Sequence, residues 1–146
     1  MDFKLSKRKM PDGITVLDAT GRITAGDALT ALRQAIRDEV ADGHHRIVLN
    51  LKDVSYVDSS GLGELVMALG TVTQTICASC GATVFKDEDG RWGRCPQCKS
   101  NERKSWGQLK LASPGRQVTD LLQFTKLHTV FDVHASEADA LKSFTS

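Results

Sequence analysis

Two groups of residues in this 146-residue chain have the types and spacing to do chemistry. The first is Asp58-Ser59-Ser60-Gly61. A β-branched, apolar run, Ile47-Val-Leu-Asn-Leu-Lys-Asp-Val-Ser-Tyr-Val57, ends there and a helical pattern begins at once. Two hydroxyls and a carboxylate therefore stand at the junction of a strand and a helix N-terminus. Free backbone N–H groups and the positive end of the helix dipole suit a phosphate or another anion at such a place. Ordinary capping by Ser and Asp accounts for the same residues, and the two roles are compatible. The second group is the four cysteines, Cys77-Ala-Ser-Cys80 and Cys95-Pro-Gln-Cys98, with fourteen residues between the pairs. That spacing matches a zinc ribbon in which four thiolates hold one structural Zn²⁺. A disulfide-stapled hairpin is the alternative, and the weaker one in a reducing compartment.

The intervening elements follow from periodicity and turn chemistry. Phe3–Arg8 is predicted to pair as an edge strand with Ile14–Ala19 across the turn Pro11-Asp12-Gly13. A helix is predicted over Gly26–Asp42, with Leu29, Leu32, Ile36 and Val40 on one face and Gly43 as its stop. Arg46–Leu51 reads as a buried strand. A second helix starts at Ser60 or Gly61, with Leu62, Leu65, Val66, Leu69 and Val72 as its apolar stripe. Within the cysteine segment, Thr83–Lys86 and Arg91–Arg94 read as strands around the turn Asp87-Glu-Asp-Gly90, and Gly81 supplies a positive φ after the first pair. Gln108–Ala112 is a strand. Pro114 opens a helix with Val118, Leu121, Leu122 and Thr125 on one face. A last short strand contains Val130, Phe131 and Val133. Ser136-Glu-Ala-Asp139 starts a final helix that buries Ala140, Leu141 and Phe144. Alternating strands and helices predict an α/β layer with a mixed sheet.

The segment Asn50 to Gly63 resembles the switch region of STAS domains, in particular the bacterial anti-sigma factor antagonists. Thr20-Gly-Arg-Ile23, Leu111-Ala-Ser-Pro114 and Val118-Thr-Asp-Leu-Leu-Gln-Phe-Thr-Lys-Leu127 are similar to further turns and to the third helix of that family. The resemblance covers residues 1–74 and 108–146 and implies a discontinuous STAS domain. Residues 75–107 then form an inserted zinc-ribbon-like module in place of a short turn. In the family the second serine of Asp-Ser-Ser-Gly is phosphorylated, and by motif position that serine is Ser60. The resemblance implies a cytoplasmic, non-enzymatic protein that binds an anti-sigma factor serine kinase and so regulates sigma-factor-dependent transcription. Phosphorylation at Ser60 would switch it off and a separate phosphatase would reset it. Asp58, Ser59, Ser60 and Gly61 would form the switch and partner surface, with Asp58 shaping the loop and orienting the hydroxyl. The alternative is a scaffold or accessory STAS subunit, in a stressosome-like assembly or a lipid transporter complex, without a phospho-switch.

Other chemistries fit less well. The formal charge of +1 makes no electrostatic case for nucleic acid or membrane partners. No apolar run approaches the roughly 20 residues of a membrane span, and Met1–Lys9 lacks the apolar core of a signal peptide. In residues 75–107 six Lys and Arg face four acids, an excess that Zn²⁺-bound thiolates would cancel. Gly61-x-Gly63 lacks the third glycine of a dinucleotide loop. Ser60 as a hydrolase nucleophile would need glycine where Asp58 stands, and its partners Asp132 and His134 look too close in sequence to pair. His44 and His45 read as solvated turn residues. His128 and His134 have no ligand spacing. Lys7-Arg-Lys9 reads as an edge-strand gatekeeper.

Overall fold

Among the described residues, five strands and four helices build one layered unit, from which a separate two-stranded ribbon departs. The computed structural model describes residues 3–44, 46–82 and 84–144. β1 (Lys4–Lys9) and β2 (Ile14–Ile23) form an antiparallel hairpin. Gly13, at φ 77°, closes its turn. β2 runs parallel to β3 (Arg46–Val57), which runs parallel to β6 (Gln108–Ala112) and then to β7 (Asp132–His134). The order is β1-β2-β3-β6-β7. The crossovers are α1 (Asp27–Ala41), α2 (Ser59–Val72) and α3 (Arg116–Phe124), and α4 (Glu137–Ser143) follows β7. Between α2 and β6 stand β4 (Gln74–Cys77) and β5 (Arg103–Trp106), an antiparallel pair of their own.

The sheet is buried unequally. Leu17, Ala19, Leu49 and Leu111 meet Leu32, Leu65 and Leu122 of the first three helices in the main core. The other face is covered by α4 over a smaller cluster of Ile14, Val16, Val48, Ala112 and Ala140. Both faces of β2 and β3 are thus apolar, which gives their near-continuous hydrophobic runs.

Several elements depart from the reading of the sequence. β2 extends to Ile23 rather than Ala19, and β3 to Val57 rather than Leu51. Two register shifts, between Asp18 and Thr20 and between Gly21 and Arg22, let the long pair continue past polar residues. Val66 is 39% exposed, and Glu64 and Ala68 take the inward positions on α2. Thr125 ends α3 instead of burying, and Lys126 in the left-handed region (φ 62°) turns the chain into a 3-10 turn, Leu127–Thr129. Val130 and Phe131 precede the last strand rather than forming it, with Phe131 buried and Val130 exposed. In the cysteine segment the predicted strands over 83–86 and 91–94 reduce to one bridge, Lys86 to Trp92, while Thr83 lies outside the described residues. The ladder forms instead at β4 and β5, which the reading of the sequence missed. The Asp87–Gly90 turn is present: Asp87 Oδ1 accepts from the N–H groups of Asp89 and Arg91, both at 2.9 Å. The edge strand is anchored by its basic run. Arg8 pairs with Asp18 and Glu137, and Lys7 and Lys9 reach Glu39 at 2.7 and 2.6 Å.

Candidate functional site

The Asp58–Gly61 segment sits where β3 hands over to α2, and three contacts fix it. Asp58 is the N-cap: its Oδ1 accepts from the Gly61 N–H at 2.7 Å, and its carbonyl accepts from the Leu62 N–H at 2.9 Å. Its own N–H donates to the Ile23 carbonyl at 3.3 Å, tying the junction to the end of β2. The Asp58 carboxylate is therefore engaged by the loop backbone rather than by a serine hydroxyl. Gly61 is required by space. A Cβ there would stand 2.2 Å from the Ile23 carbonyl oxygen and 2.9 Å from its Cγ2. From α3, Gln117 clamps the last strand residue: its Oε1 accepts from the Val57 N–H at 2.9 Å and its Nε2 donates to the Val57 carbonyl at 3.0 Å.

With Gly61 buried, Ser59 and Ser60 turn outward and are exposed. Gly63, Val66, Met67 and Gly70 continue the exposed face of α2 behind them. An accessible hydroxyl on a rigid helix start, at the head of a face of small and apolar residues, is suited to modification and to contact with a partner. Ile23 and Gln117 are positioning residues that the sequence did not disclose, because both act across the sheet.

The four cysteines converge. Their Sγ atoms all lie within 4.8 Å of one another, and Cys77 to Cys98 and Cys80 to Cys95 measure 3.4 and 3.6 Å. All four are free thiols. Four sulfurs at about 2.3 Å from one tetrahedral ion would stand about 3.8 Å apart, so the donor set fits a metal centre. The two Cys-x-x-Cys loops repeat one geometry. Cys77 N–H donates to the Ala82 carbonyl and Cys95 N–H to the Ser100 carbonyl, both at 2.8 Å. Gly81 and Lys99 N–H groups return to the carbonyls of Cys77 and Cys95, with Gly81 and Lys99 at φ 80° and 66°. Cys77 and Cys95 are buried, Cys80 and Cys98 exposed. Crowding splits the thiols. Backbone N–H groups, that of Cys80 foremost, pull Cys77 down to about 6. Cys98 is driven up to about 12: the Ser100 N–H acts to lower it, but the Cys77 sulfur and burial outweigh that. A single dication would resolve the conflict by accepting four thiolates at once.

Other candidates resolve differently from the reading of the sequence. His44 is not a free turn residue. Its Nδ1 lies 2.7 Å from Glu39 Oε2, and Thr15 Oγ1 donates to the same carboxylate at 3.1 Å. His45 lies outside the described residues. Asp132 and His134 do pair, at 2.9 Å, because alternate strand residues share a face. Lys110 Nζ completes that cluster at 2.5 Å from Asp132 Oδ2. It is not a Ser60 triad, because Asn50 is level with Ala112 and His134 and β3 continues from there to Val57 before the switch begins. Among the described residues no helix is long and apolar enough to cross a membrane.

Comparison with known proteins places these features in a family context. Residues 7–76 match the model of the STAS domain. An anti-sigma factor antagonist from Mycobacterium paratuberculosis superposes with a TM-score of 0.69 at 21% identity, covering 99% of this chain and 96% of that one. The phosphorylated form of the Bacillus cell fate determinant SpoIIAA gives 0.58 at 17% identity, over 98% and 99% of the two chains. A sulfate transporter family protein from Wolinella succinogenes gives 0.55 at 12% identity, over 93% and 88%. These likenesses establish a shared fold. A sequence comparison with curated proteins finds no match.

Proposed function

Because the chain carries a STAS domain on the fold seen in anti-sigma factor antagonists, we propose that it acts as one: a non-enzymatic cytoplasmic binding protein switched by phosphorylation of Ser60. The observation that carries this reading is the pairing of an exposed Ser60 with a Gly61 locked against Ile23. The lock holds the serine outward on a helix start that cannot retreat. Unmodified, the Ser60 end of α2 docks on an anti-sigma factor kinase and frees its sigma factor. Phosphorylation adds about −1.5 to −2 charges. The Asp58 carboxylate already caps Gly61, so the new charge meets a like charge at the helix end and projects toward the partner. The complex is lost while the fold stands, and a phosphatase restores it. Residues 75–107 form an inserted module in this scheme. One structural Zn²⁺, held by Cys77, Cys80, Cys95 and Cys98, orders it beside the C-terminal end of the switch helix.

Incubation with the captured kinase and ATP, followed by intact-mass and fragment spectra, tests the switch. Modification at Ser60 is expected. Modification solely at Ser59 would overturn the assignment. Ser60→Asp should weaken the partner complex at least tenfold and leave the circular dichroism unchanged. The accessory-subunit alternative, which the likeness to a transporter-family protein keeps open, predicts that a pull-down returns a transporter ATPase instead of a kinase.

A further inference from the structure

Arg33 of α1 grips Glu64 of α2 with a fork, Nε to Oε1 and Nη2 to Oε2, both at 2.9 Å. Glu64 is only 5% exposed, whereas the Arg33 side chain is 44% exposed. Arg37, Met67 and Thr71 line the same groove between the helices. Ser60 stands four residues before Glu64 on α2, so the two are neighbours one turn apart, with about 5–6 Å between their Cβ atoms. α1 and α2 run side by side in the same direction, each connecting one parallel strand to the next. Helical side chains lean toward the N-terminus, so the long Arg33 side chain leans toward the level of Ser60. A neutral hydroxyl there exerts no pull on the fork. A phosphate would be a dianion one turn from a guanidinium whose second amino group, Nη1, takes no part in the Glu64 fork. The charged side chains on the elements packed there are Asp58 at the cap, Glu64 on α2, Asp27, Arg33 and Arg37 on α1, and Arg22 at the end of β2, which is held over the Tyr56 ring at 4.9 Å. The carboxylates disfavour the phosphate, and of the arginines it is Arg33 that already reaches the helix carrying Ser60.

The geometry points to Arg33 as the receptor of the Ser60 phosphate, the guanidinium being shared with, or taken from, Glu64. This assignment rests on the phospho-switch reading above. It gives the modification a second consequence. Besides placing charge on the partner surface, the phosphate weakens the ion pair that joins α1 to α2 and leaves a buried Glu64 short of its counter-charge. The groove beside Met67 is then reshaped by the same event that adds the charge.

Phosphoserine installed at position 60 by genetic encoding tests the contact without any kinase. The ³¹P resonance reports its second ionisation. In the otherwise unmodified protein that ionisation is expected at a pH about half a unit below its value in Arg33→Gln, roughly a threefold difference in proton affinity. Glu64→Gln frees the fork and should lower it further. Superimposable titrations of the parent and Arg33→Gln would overturn the assignment, as would a Glu64→Gln variant with no further decrease. If Arg33→Gln alone does not fold, the double variant Arg33→Gln, Glu64→Gln keeps the groove filled with neutral near-isosteres and serves as the reference. Should a kinase leave Ser60 untouched while the encoded phosphate still titrates with Arg33, the switch reading fails and the phosphate contact stands.

Discussion

Beneath the five-stranded sheet Leu17, Leu32, Leu49, Leu65 and Leu111 are each at most 1% exposed, and α1, α2 and α3 all contribute to one continuous core. In the cysteine module the buried cluster among the described residues is Cys77, Val84 and Cys95, with Ala82 and Trp92 packed against it. The sheet has enough apolar area to hold itself together. The module has two of its four sulfurs standing where side chains of a core would stand. Of its two strands, β4 ends in Cys77 and so enters the sulfur cluster directly, while Lys86 and Arg103 sit over the Trp92 ring at 5.5 and 5.3 Å and keep cations on that apolar surface. One chain thus contains two solutions to the same problem. The difference implies that, with the proposed metal, ligand binding and folding would be one event in the module and separate events in the sheet.

The most drastic way to break the comparison is to remove the metal. Chelation is expected to erase the module's amide dispersion in an NMR spectrum while resonances of β2, β3 and β6 stay in place. Metal analysis should return one zinc per chain before chelation. Two disulfides and no metal would defeat the centre. A global collapse on chelation would defeat the separation of the two regions.

Next in size is a change inside the sheet region. Gly61→Ala puts a methyl group into the Ile23 carbonyl. Backbone must move, because the obstacle is not the tip of a flexible side chain. A loss of about 3 kcal/mol in denaturant unfolding is expected. Gly63→Ala is the control: nothing lies within 4 Å of its Cβ position. In a helix interior that change should stabilise by about 0.5–1 kcal/mol. Equal effects from the two substitutions would refute the packing explanation of the switch glycine.

These two glycines also show what the sequence discloses. Both stand in Gly61-Leu-Gly63, and nothing local tells them apart. Only the return of β2 beneath the start of α2 does, through Ile23. The same limit hid Gln117 and the Arg33–Glu64 fork, which join elements that are distant in sequence. Periodicity and turn chemistry sufficed for β1, β6 and α4, and the Ser136 cap forms as read, its hydroxyl accepting from the Asp139 N–H at 3.1 Å. The cysteine spacing was legible because a Cys-x-x-Cys loop is closed by its own backbone. The β4–β5 ladder was not, since Gln74-Thr-Ile-Cys77 and Arg103-Lys-Ser-Trp106 carry no alternation strong enough to mark strands. Their pairing follows from the knuckles drawing the two segments together.

A smaller effect separates the regions by pH. Glu39 is fully buried yet takes Lys7, Lys9, His44 and Thr15 as partners. Burial pushes its carboxyl up, but the hydrogen bonds of Lys7, Lys9 and His44 outweigh burial and bring it from 4.5 down to about 2. A carboxylate depressed on folding contributes stability that is complete above its unfolded value and lost as pH falls toward the folded one. The sheet should therefore weaken between about pH 4.5 and 2. Glu39→Gln should cost about 2 kcal/mol at neutral pH, after allowance for two half-exposed lysines. It should also flatten that part of the acid-unfolding profile. A profile unchanged by the substitution would show that Glu39 does not anchor the edge strand.

The smallest effect is expected from the largest deletion. Gln74 and Trp106 are register partners at the mouth of the ribbon, so their Cα atoms are about 4.5–5.5 Å apart. Gln108, where the sheet resumes, follows Trp106 by two residues, so a short turn spans from Gln74 to Gln108 without stretching either flank. The main core draws its members from residues before Thr73 and after Gly107, so removing the module takes no residue from it. Replacing residues 75–107 by a short Gly-containing turn should therefore leave the thermal midpoint of the sheet within a few degrees of the parent. It should also abolish zinc binding. Binding of the partner to this variant then measures the module's own contribution to the interface: equal affinity assigns it a structural role alone, and a loss makes it part of the contact surface. If the variant aggregates or melts far below the parent, the sheet depends on the module, and the contrast between a self-sufficient core and a metal-ordered appendage does not hold.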